Sequence, residues 1–295
     1  MMILLNKIRA FTRRLINDFR LLFGRYNVVA ISGSKGYDGD VIRQNWGDDI
    51  NYFFVKEISK KPIILLNDTF LGKYFVTNYL IIGSTIGMIS NNNSIIWGAG
   101  LIDEDMMNSV YNIKYICAVR GPKTRQCLIE NGYDCPAIYG DPALLIPLIY
   151  FPEIRKKHKL GVVCHYNDAI LLENMGITDN KEIKIINPSK YNHWHDFIDE
   201  ILSCEYIISS SLHGIIIGEA YKIKTKWIEF RNADKRSRFK YYDFYESIGK
   251  TEEIPMIIDT KIDTIAAIDA CQSSKVGHIN LIPLIESCPF EISLQ

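Results

Sequence analysis

Residues 206–221, YIISSSLHGIIIGEAY, constrain the fold of this 295-residue chain more than any other stretch. An apolar run from Tyr206 to Ile208 stops in three serines, and a helix-periodic segment follows through Leu212, Ile215, Ile216, Glu219 and Ala220. That order describes a buried strand, a tight polar turn and a helix whose first turn holds His213 and Gly214. The turn also carries chemistry. A helix N-terminus leaves backbone N–H groups unpaired and bears a positive partial charge, so anions settle there. Ser209, Ser210 and Ser211 can add hydroxyl donors, Gly214 keeps the approach open, and His213 can move protons near neutral pH. The same serines equally suit a plain helix cap.

The rest of the chain repeats the alternation, which indicates an α/β fold with parallel sheets. Strands are expected at 28–32, 62–66, 79–83, 94–98, 114–121 and 137–147, with helices over 45–59 and 122–130. A glycine-rich loop at 33–40 lacks the full dinucleotide fingerprint. Two prolines and a basic cluster in 146–159 mark a crossing between domains. A second series follows: strands at 159–168, 183–189 and 225–230, helices at 195–203 and near 261–271. The chain therefore divides into a basic helix at 1–26, an α/β domain at 27–150 and a second at 151–295 that includes the C-terminal helix and tail. Ligands bind beyond the carboxyl ends of parallel strands. Those ends carry Asn45–Asp48, Arg120, Asp141, His165, Ser209–His213 and Arg231, and two facing sheets would pool them in one cleft.

Composition removes several classes. The apolar fraction is 47%, and no run of 18 apolar residues exists to span a bilayer. A formal net charge of zero argues against nucleic acid as the main partner. Seven scattered cysteines without a CxxC pair read as reduced, structural thiols of a cytoplasmic protein, and no ligand spacing suits zinc. The neutrality hides an asymmetry: residues 1–25 hold Lys7, Arg9, Arg13, Arg14, Arg20 and Arg25 against Asp18 alone, a net +5. Leu4, Ile8, Phe11, Leu15, Phe19 and Leu22 share one helical face and the basic residues fall mostly on the other. Two readings follow: a helix lying on an anionic membrane surface, peripheral on the inner face of the plasma membrane, or one whose apolar stripe is docked on the protein's own core.

Seven segments taken together resemble the polysaccharide pyruvyl transferase family: NWGDDIN (45–51), IIWGAGLI (95–102), VRGPKTR (119–125), YGDPALLIP (139–147), LGVVCHYND (160–168), ISSSLHGIIIGEAY (208–221) and FKYYDFYESIGK (239–250). They stand in the family's order and cover roughly residues 28–250, with the basic helix outside. The resemblance implies two Rossmann-like domains facing a central cleft, similar to the GT-B fold, with the first domain on the acceptor side and the second on the donor side. It also implies transfer of a pyruvyl group from phosphoenolpyruvate to a sugar diol of a cell-surface repeat unit as a cyclic ketal, with no obligatory metal. The acceptor would be a lipid-linked glycan. A sugar-nucleotide glycosyltransferase of similar architecture is the alternative.

That reaction sets requirements. Phosphoenolpyruvate brings a phosphate and a carboxylate, so its site needs at least two cationic or N–H-rich anchors. Protonating the enol carbon and accepting hydroxyl protons calls for an acid and a base. His213 is the first choice, with His165 as a second proton carrier or phosphate ligand. Arg120 suits a fork to phosphate or carboxylate, or a structural ion pair. Ser209, Ser210, Ser211 and Gly214 form the anion turn, and Lys240 adds a cation beside Arg231, Arg236 and Arg238. Asn45 and Asp48 face the acceptor, or Asp48 caps its helix. Tyr241, Tyr242, Phe244 and Tyr245 offer a sugar-stacking surface or core aromatics.

Overall fold

The structure, a computed structural model, describes residues 2–31, 45–110, 112–165, 168–231 and 237–293. It separates into two compact units, residues 1–142 joined by 281–295, and residues 143–280. The first runs α1 (Met2–Phe23), β1 (Asn27–Val29), α2 (Trp46–Ser59), β2 (Ile63–Leu65), α3 (Gly72–Phe75), β3 (Asn78–Leu80), β4 (Ser94–Trp97), β5 (Tyr115–Ala118) and α4 (Pro122–Glu130). The second runs β6 (His158–Val163), α5 (Ala169–Asn174), β7 (Ile183–Ile186), α6 (Asp196–Leu202), β8 (Cys204–Ser209), α7 (Leu212–Ala220), β9 (Thr225–Phe230), α8 (Phe239–Ser247), β10 (Met256–Ile258) and α9 (Thr264–Ser273).

Each unit is built on a five-stranded sheet, ordered β2-β1-β3-β4-β5 and β10-β9-β8-β6-β7, in which neighbouring strands pair in parallel. The α/β expectation with parallel sheets therefore holds. Parallel strands covered on both faces become continuous apolar runs, which is why Val28, Val29, Ile64 and Leu65, or Ile207 and Ile208, are all buried. Strand order creates one reversal per sheet. In the first, β1 is followed by β2 on one side and β3 on the other; in the second, β6 has β7 on one side and β8 on the other. Such reversals open a crevice at the carboxyl ends of the two central strands.

Two expectations change. Residues 137–147 form no strand: Tyr139 makes an isolated bridge to Val119, and a 3-10 helix spans Pro142–Leu148. Pro142 and Pro147 lack the N–H that a ladder position would need. Helix α8 forms because Tyr241, Phe244 and Tyr245 recur at helical spacing and are buried. The tail, expected with the second domain, packs in the first unit. There α10 (Ile282–Glu286) offers the Leu284 carbonyl to Trp97 Nε1 at 2.8 Å, and Phe290 sets its ring edge-on to Trp97 and Tyr79. The glycine-rich loop at 33–40 lies outside the described residues.

Helix α1 does not dock on the core by its apolar stripe. It is docked on the first unit, but through its polar face. Arg13 pairs with buried Asp68 at 2.8 Å, Asn17 Nδ2 donates to the Asp68 carbonyl, and Arg14 Nε donates to the Asn67 carbonyl. Asp18, itself buried, accepts the backbone N–H groups of Phe70 and Leu71. Ile8, Phe11, Leu15, Phe19 and Leu22 point outward and are exposed. Among the described residues no helix is long and apolar enough to cross a membrane.

Candidate active site

The reversal point of the second sheet is formed by β6, β8 and the helices that follow. Strand β8 ends at Ser209 and α7 begins at Leu212, so Ser210 and Ser211 form the whole turn, with Ser211 at the N-cap position. Its neighbour β6 ends at Val163 and leads to Cys164 and His165. The two ends are stitched together. The Ser210 N–H donates to the Val163 carbonyl at 3.0 Å, and the His165 N–H donates to Ser210 Oγ at 3.0 Å. Ser210 Oγ donates in turn to Asp168 Oδ2 at 2.6 Å, while Asp168 N–H closes a turn on the His165 carbonyl. From α8, Tyr241 OH donates to the Ser210 carbonyl at 2.8 Å. One serine thus ties both strand ends, the N-terminus of α5 and α8.

This geometry revises the serine turn. Ser209, Ser210 and Ser211 are buried, and two of their hydroxyls are spent inside the protein. Ser209 Oγ donates to the Ser211 carbonyl at 2.7 Å and accepts the Ser211 N–H, so it shapes the turn and is not offered to a ligand. Gly214 is a packing glycine: a Cβ there would sit 2.5 Å from Ser209 Oγ and 2.7 Å from Val163 Cγ1. Removing that Cβ lets α7 approach the strand ends. What the turn offers an anion is the positive end of α7, a nine-residue helix whose N-cap Ser211 makes no side-chain capping bond. His213 lies in that first turn and is half-buried, as is His165 on the adjacent strand end. The structure therefore places both histidines at the same reversal point.

The second unit's cations divide. Lys240 is buried on α8, with Nζ 5.2 Å from the centre of the Tyr241 ring. Arg231 and Arg238 are largely exposed and paired with Asp259 and Glu229, which makes them a solvated charge cluster; Arg236 lies outside the described residues. The aromatics of α8 belong to the core. Tyr241 stacks on Trp227 at 4.4 Å with 12° between the planes, and Phe244 and Tyr245 are fully buried. Among the described residues, His195, Asp196 and Asp199 hold ligand atoms within 4.8 Å of one another. Both carboxylates have structural work: Asp196 accepts the Asn192 and His193 N–H groups, and Asp199 accepts Tyr150 OH at 2.7 Å.

In the first unit, Arg120 is fully buried, with Nη1 donating to Ser84 Oγ and Nη2 to the Leu101 carbonyl, both at 2.6 Å. The guanidinium is a fork, as its residue type suggests, but these two arms bridge the loops after β3 and β4. Gly100 admits it, since a Cβ there would meet Arg120 Cζ at 2.5 Å. Asn45 is the N-cap of α2, its Oδ1 accepting the Gly47 N–H and its Nδ2 donating to Asp48 Oδ2 at 3.1 Å. Asp48 sits in the first turn of α2, where a carboxylate is favoured by the helix dipole. Both are thus placed by helix-capping geometry. Asn51, one turn on, both donates to and accepts from the Ile82 backbone beyond β3, fixing α2 to the first sheet's reversal point. Asp141 is buried immediately before the 3-10 helix.

Asp168 is the residue that sequence reading passed over. It is buried and organises the site, yet it shows in the sequence only as an Asp ahead of a short helix, the usual signature of a cap. All seven cysteines are free, and burial pushes the Cys164 thiol next to the crevice up to about 11, so it is an unreactive neutral group.

The polysaccharide pyruvyl transferase family profile matches residues 6–232, beginning inside α1, which the motif resemblance had left out, and ending before α8. A protein of Acanthamoeba polyphaga mimivirus, uncharacterized protein L143, is 24% identical over 209 residues, 70% of this chain and 71% of that protein. The succinoglycan biosynthesis protein ExoV of Rhizobium meliloti is 25% identical over 228 residues, 74% of this chain and 66% of that protein. With the family profile spanning most of both parallel sheets, the chain belongs to the polysaccharide pyruvyl transferase family.

Proposed function

We propose that this protein transfers a pyruvyl group from phosphoenolpyruvate to two hydroxyls of a sugar in a cell-surface polysaccharide repeat unit, forming a cyclic ketal and releasing phosphate. The observation that carries this reading is the meeting of His165, His213 and the N-terminus of α7 at the reversal point of the second sheet, inside the family match. An N–H-rich helix end beside two proton carriers suits a donor that is both anionic and in need of protonation. We assign the donor to the second unit and the glycan acceptor to the first.

In this scheme a general acid delivers a proton to the methylene carbon of phosphoenolpyruvate, turning it into a methyl group. The adjacent carbon gains oxocarbenium character and a sugar hydroxyl adds to it, giving its proton to a base. Phosphate leaves with its bonding pair, and the second hydroxyl closes the ring on the same carbon. One hydroxyl proton restores the acid and the other accompanies phosphate, so the protein ends unchanged. His213 is the group we assign to proton transfer, with His165 as its partner or as a phosphate ligand. Buried Lys240 adds positive charge to the donor side.

The test is incubation of the full chain with phosphoenolpyruvate and isolated lipid-linked repeat units. Mass spectrometry should find a glycan heavier by one pyruvate less one water, with one phosphate released per ketal. Phosphoenolpyruvate, and not UDP- or GDP-sugars, should raise the melting temperature. A glycan extended by a sugar residue, or stabilisation by nucleotide sugars alone, overturns the proposal.

A further inference from the structure

Helix α1 is held to the protein by its polar side, and this inverts the usual arrangement of an amphipathic surface helix. At about 100° per residue, Arg13, Arg14, Asn17 and Asp18 fall on one half of the wheel, and these are the residues bonded to the segment 67–71. Ile8, Phe11, Leu15, Phe19, Leu22 and Phe23 occupy the other half. Phe19, Leu22 and Phe23 are 66%, 71% and 78% exposed. A solvated stripe of this length is costly unless something covers it.

The stripe continues beyond the helix. Phe11 meets Phe70 with ring centres 5.3 Å apart, and the α3 segment adds Leu71, Tyr74 and Phe75, the last two 72% and 76% exposed. Asp18 accepts the N–H groups at 70 and 71, so the docked face of α1 also fixes this second apolar element beside the first. The charges sort in the same way. The single acid of α1, Asp18, is buried, and Arg13 is neutralised by Asp68. Among the described residues of α1, the turn after it and the 70–75 segment, the exposed charges are Lys7, Arg9, Arg20, Arg25 and Lys73, all positive. On the wheel, Lys7 borders the apolar arc on one side and Arg9 and Arg20 on the other.

We infer that α1 and the Phe70–Phe75 segment together form a membrane-docking face that inserts its apolar side chains among the headgroups of an anionic bilayer. An apolar arc rimmed by cations complements such a surface: the aromatics and leucines enter the acyl boundary while the rim stays with the phosphates. A second copy of the chain would meet the same positive rim and be repelled. The inference stands apart from the catalytic reading, since no residue in it belongs to the site at β6 and β8.

Vesicle co-sedimentation of the full-length protein tests it. Binding to phosphatidylglycerol–phosphatidylcholine vesicles should exceed binding to phosphatidylcholine alone and weaken in high salt. The double variant Leu15→Asp/Phe19→Asp, and separately Phe75→Asp, should each lose at least about tenfold in vesicle partitioning, with melting temperature unchanged because the side chains are exposed. The control Ile265→Asp, equally exposed on α9 of the second unit, should bind as the parent does. Deleting residues 1–25 would be a poor substitute, since it strands Asp68 and the 70–71 backbone. Equal vesicle binding by the α1 variant, or no binding by the parent, overturns the inference. So does a parent dimer in light scattering that these substitutions dissolve, which would assign the face to a second copy.

Discussion

Ser210 Oγ donates to the buried carboxylate of Asp168 at 2.6 Å, joining residues 42 positions apart and fixing the turn that carries His165. The same oxygen accepts the His165 N–H, so one hydroxyl satisfies two groups that have little access to water. Ser210→Ala should therefore cost more than one ordinary hydrogen bond. We expect a loss of roughly 1–3 kcal/mol in urea unfolding, because Asp168 and the His165 N–H both lose a partner. A loss of a few tenths would show that water replaces the hydroxyl and that the tie is dispensable.

His213→Ala should abolish pyruvyl transfer while leaving the melting temperature close to that of the parent. A positioned proton carrier contributes roughly 10²–10⁴-fold, and a half-buried residue in a first helical turn has little packing to lose. His213→Gln separates the two roles open to it: a loss confined to donor affinity would recast the residue as a phosphate ligand. Near-normal turnover in a well-folded Ala variant removes it from proton transfer.

Arg120→Lys should destabilise the first unit. The planar guanidinium reaches Ser84 Oγ and the Leu101 carbonyl at once, and an ammonium on a flexible stem cannot reproduce that fork. The expected cost is roughly 1–3 kcal/mol by denaturant unfolding. Gly100→Ala should produce a similar defect by another route, since its Cβ would press on the guanidinium carbon. A Lys variant with parental stability and reduced donor affinity would instead make Arg120 an anion ligand.

Glu253 supplies the pH prediction. Burial raises its pKa, but the hydrogen bond from Lys226 and the charge of Lys250 outweigh burial, and the carboxyl ends below its ordinary value of 4.5. A depressed carboxylate contributes stability above the unfolded-state pKa and loses it as pH falls through the folded value. Urea midpoints should thus drop below about pH 4.5, and Glu253→Gln should flatten that part of the profile. A profile identical in parent and variant would exclude Glu253 as a source of acid sensitivity.

The same network predicts an asymmetry among its members. Lys250 Nζ lies 2.9 Å from Glu219 and 3.2 Å from Glu253, with all three side chains nearly buried. Lys250→Met leaves two carboxylates without their shared cation and should cost roughly 3–5 kcal/mol. The exposed Lys159–Glu205 pair, 2.8 Å apart, should by comparison lose little stability when Lys159→Met breaks it, because water screens the pair. Equal costs would mean that water reaches the Lys250 network.

The alternation of strands and helices was readable from the sequence, because hydrophobic period and capping chemistry act over a few residues. YIISSSLHG announces β8, its turn and α7, and NWGDD announces the capped start of α2. Motif order along the chain was likewise enough to reach the family. Other features depended on contacts between distant residues. Which strands lie at each reversal point follows from pairings such as Val163 with Ser209, and the tail returns to the first unit because Trp97 finds the Leu284 carbonyl 187 residues away. Local periodicity carries no information about either partner. It also reveals that α1 has two faces without saying which is turned outward. That was decided by buried Asp68 and the open 70–71 backbone, which needed the polar face and left the apolar one to solvent.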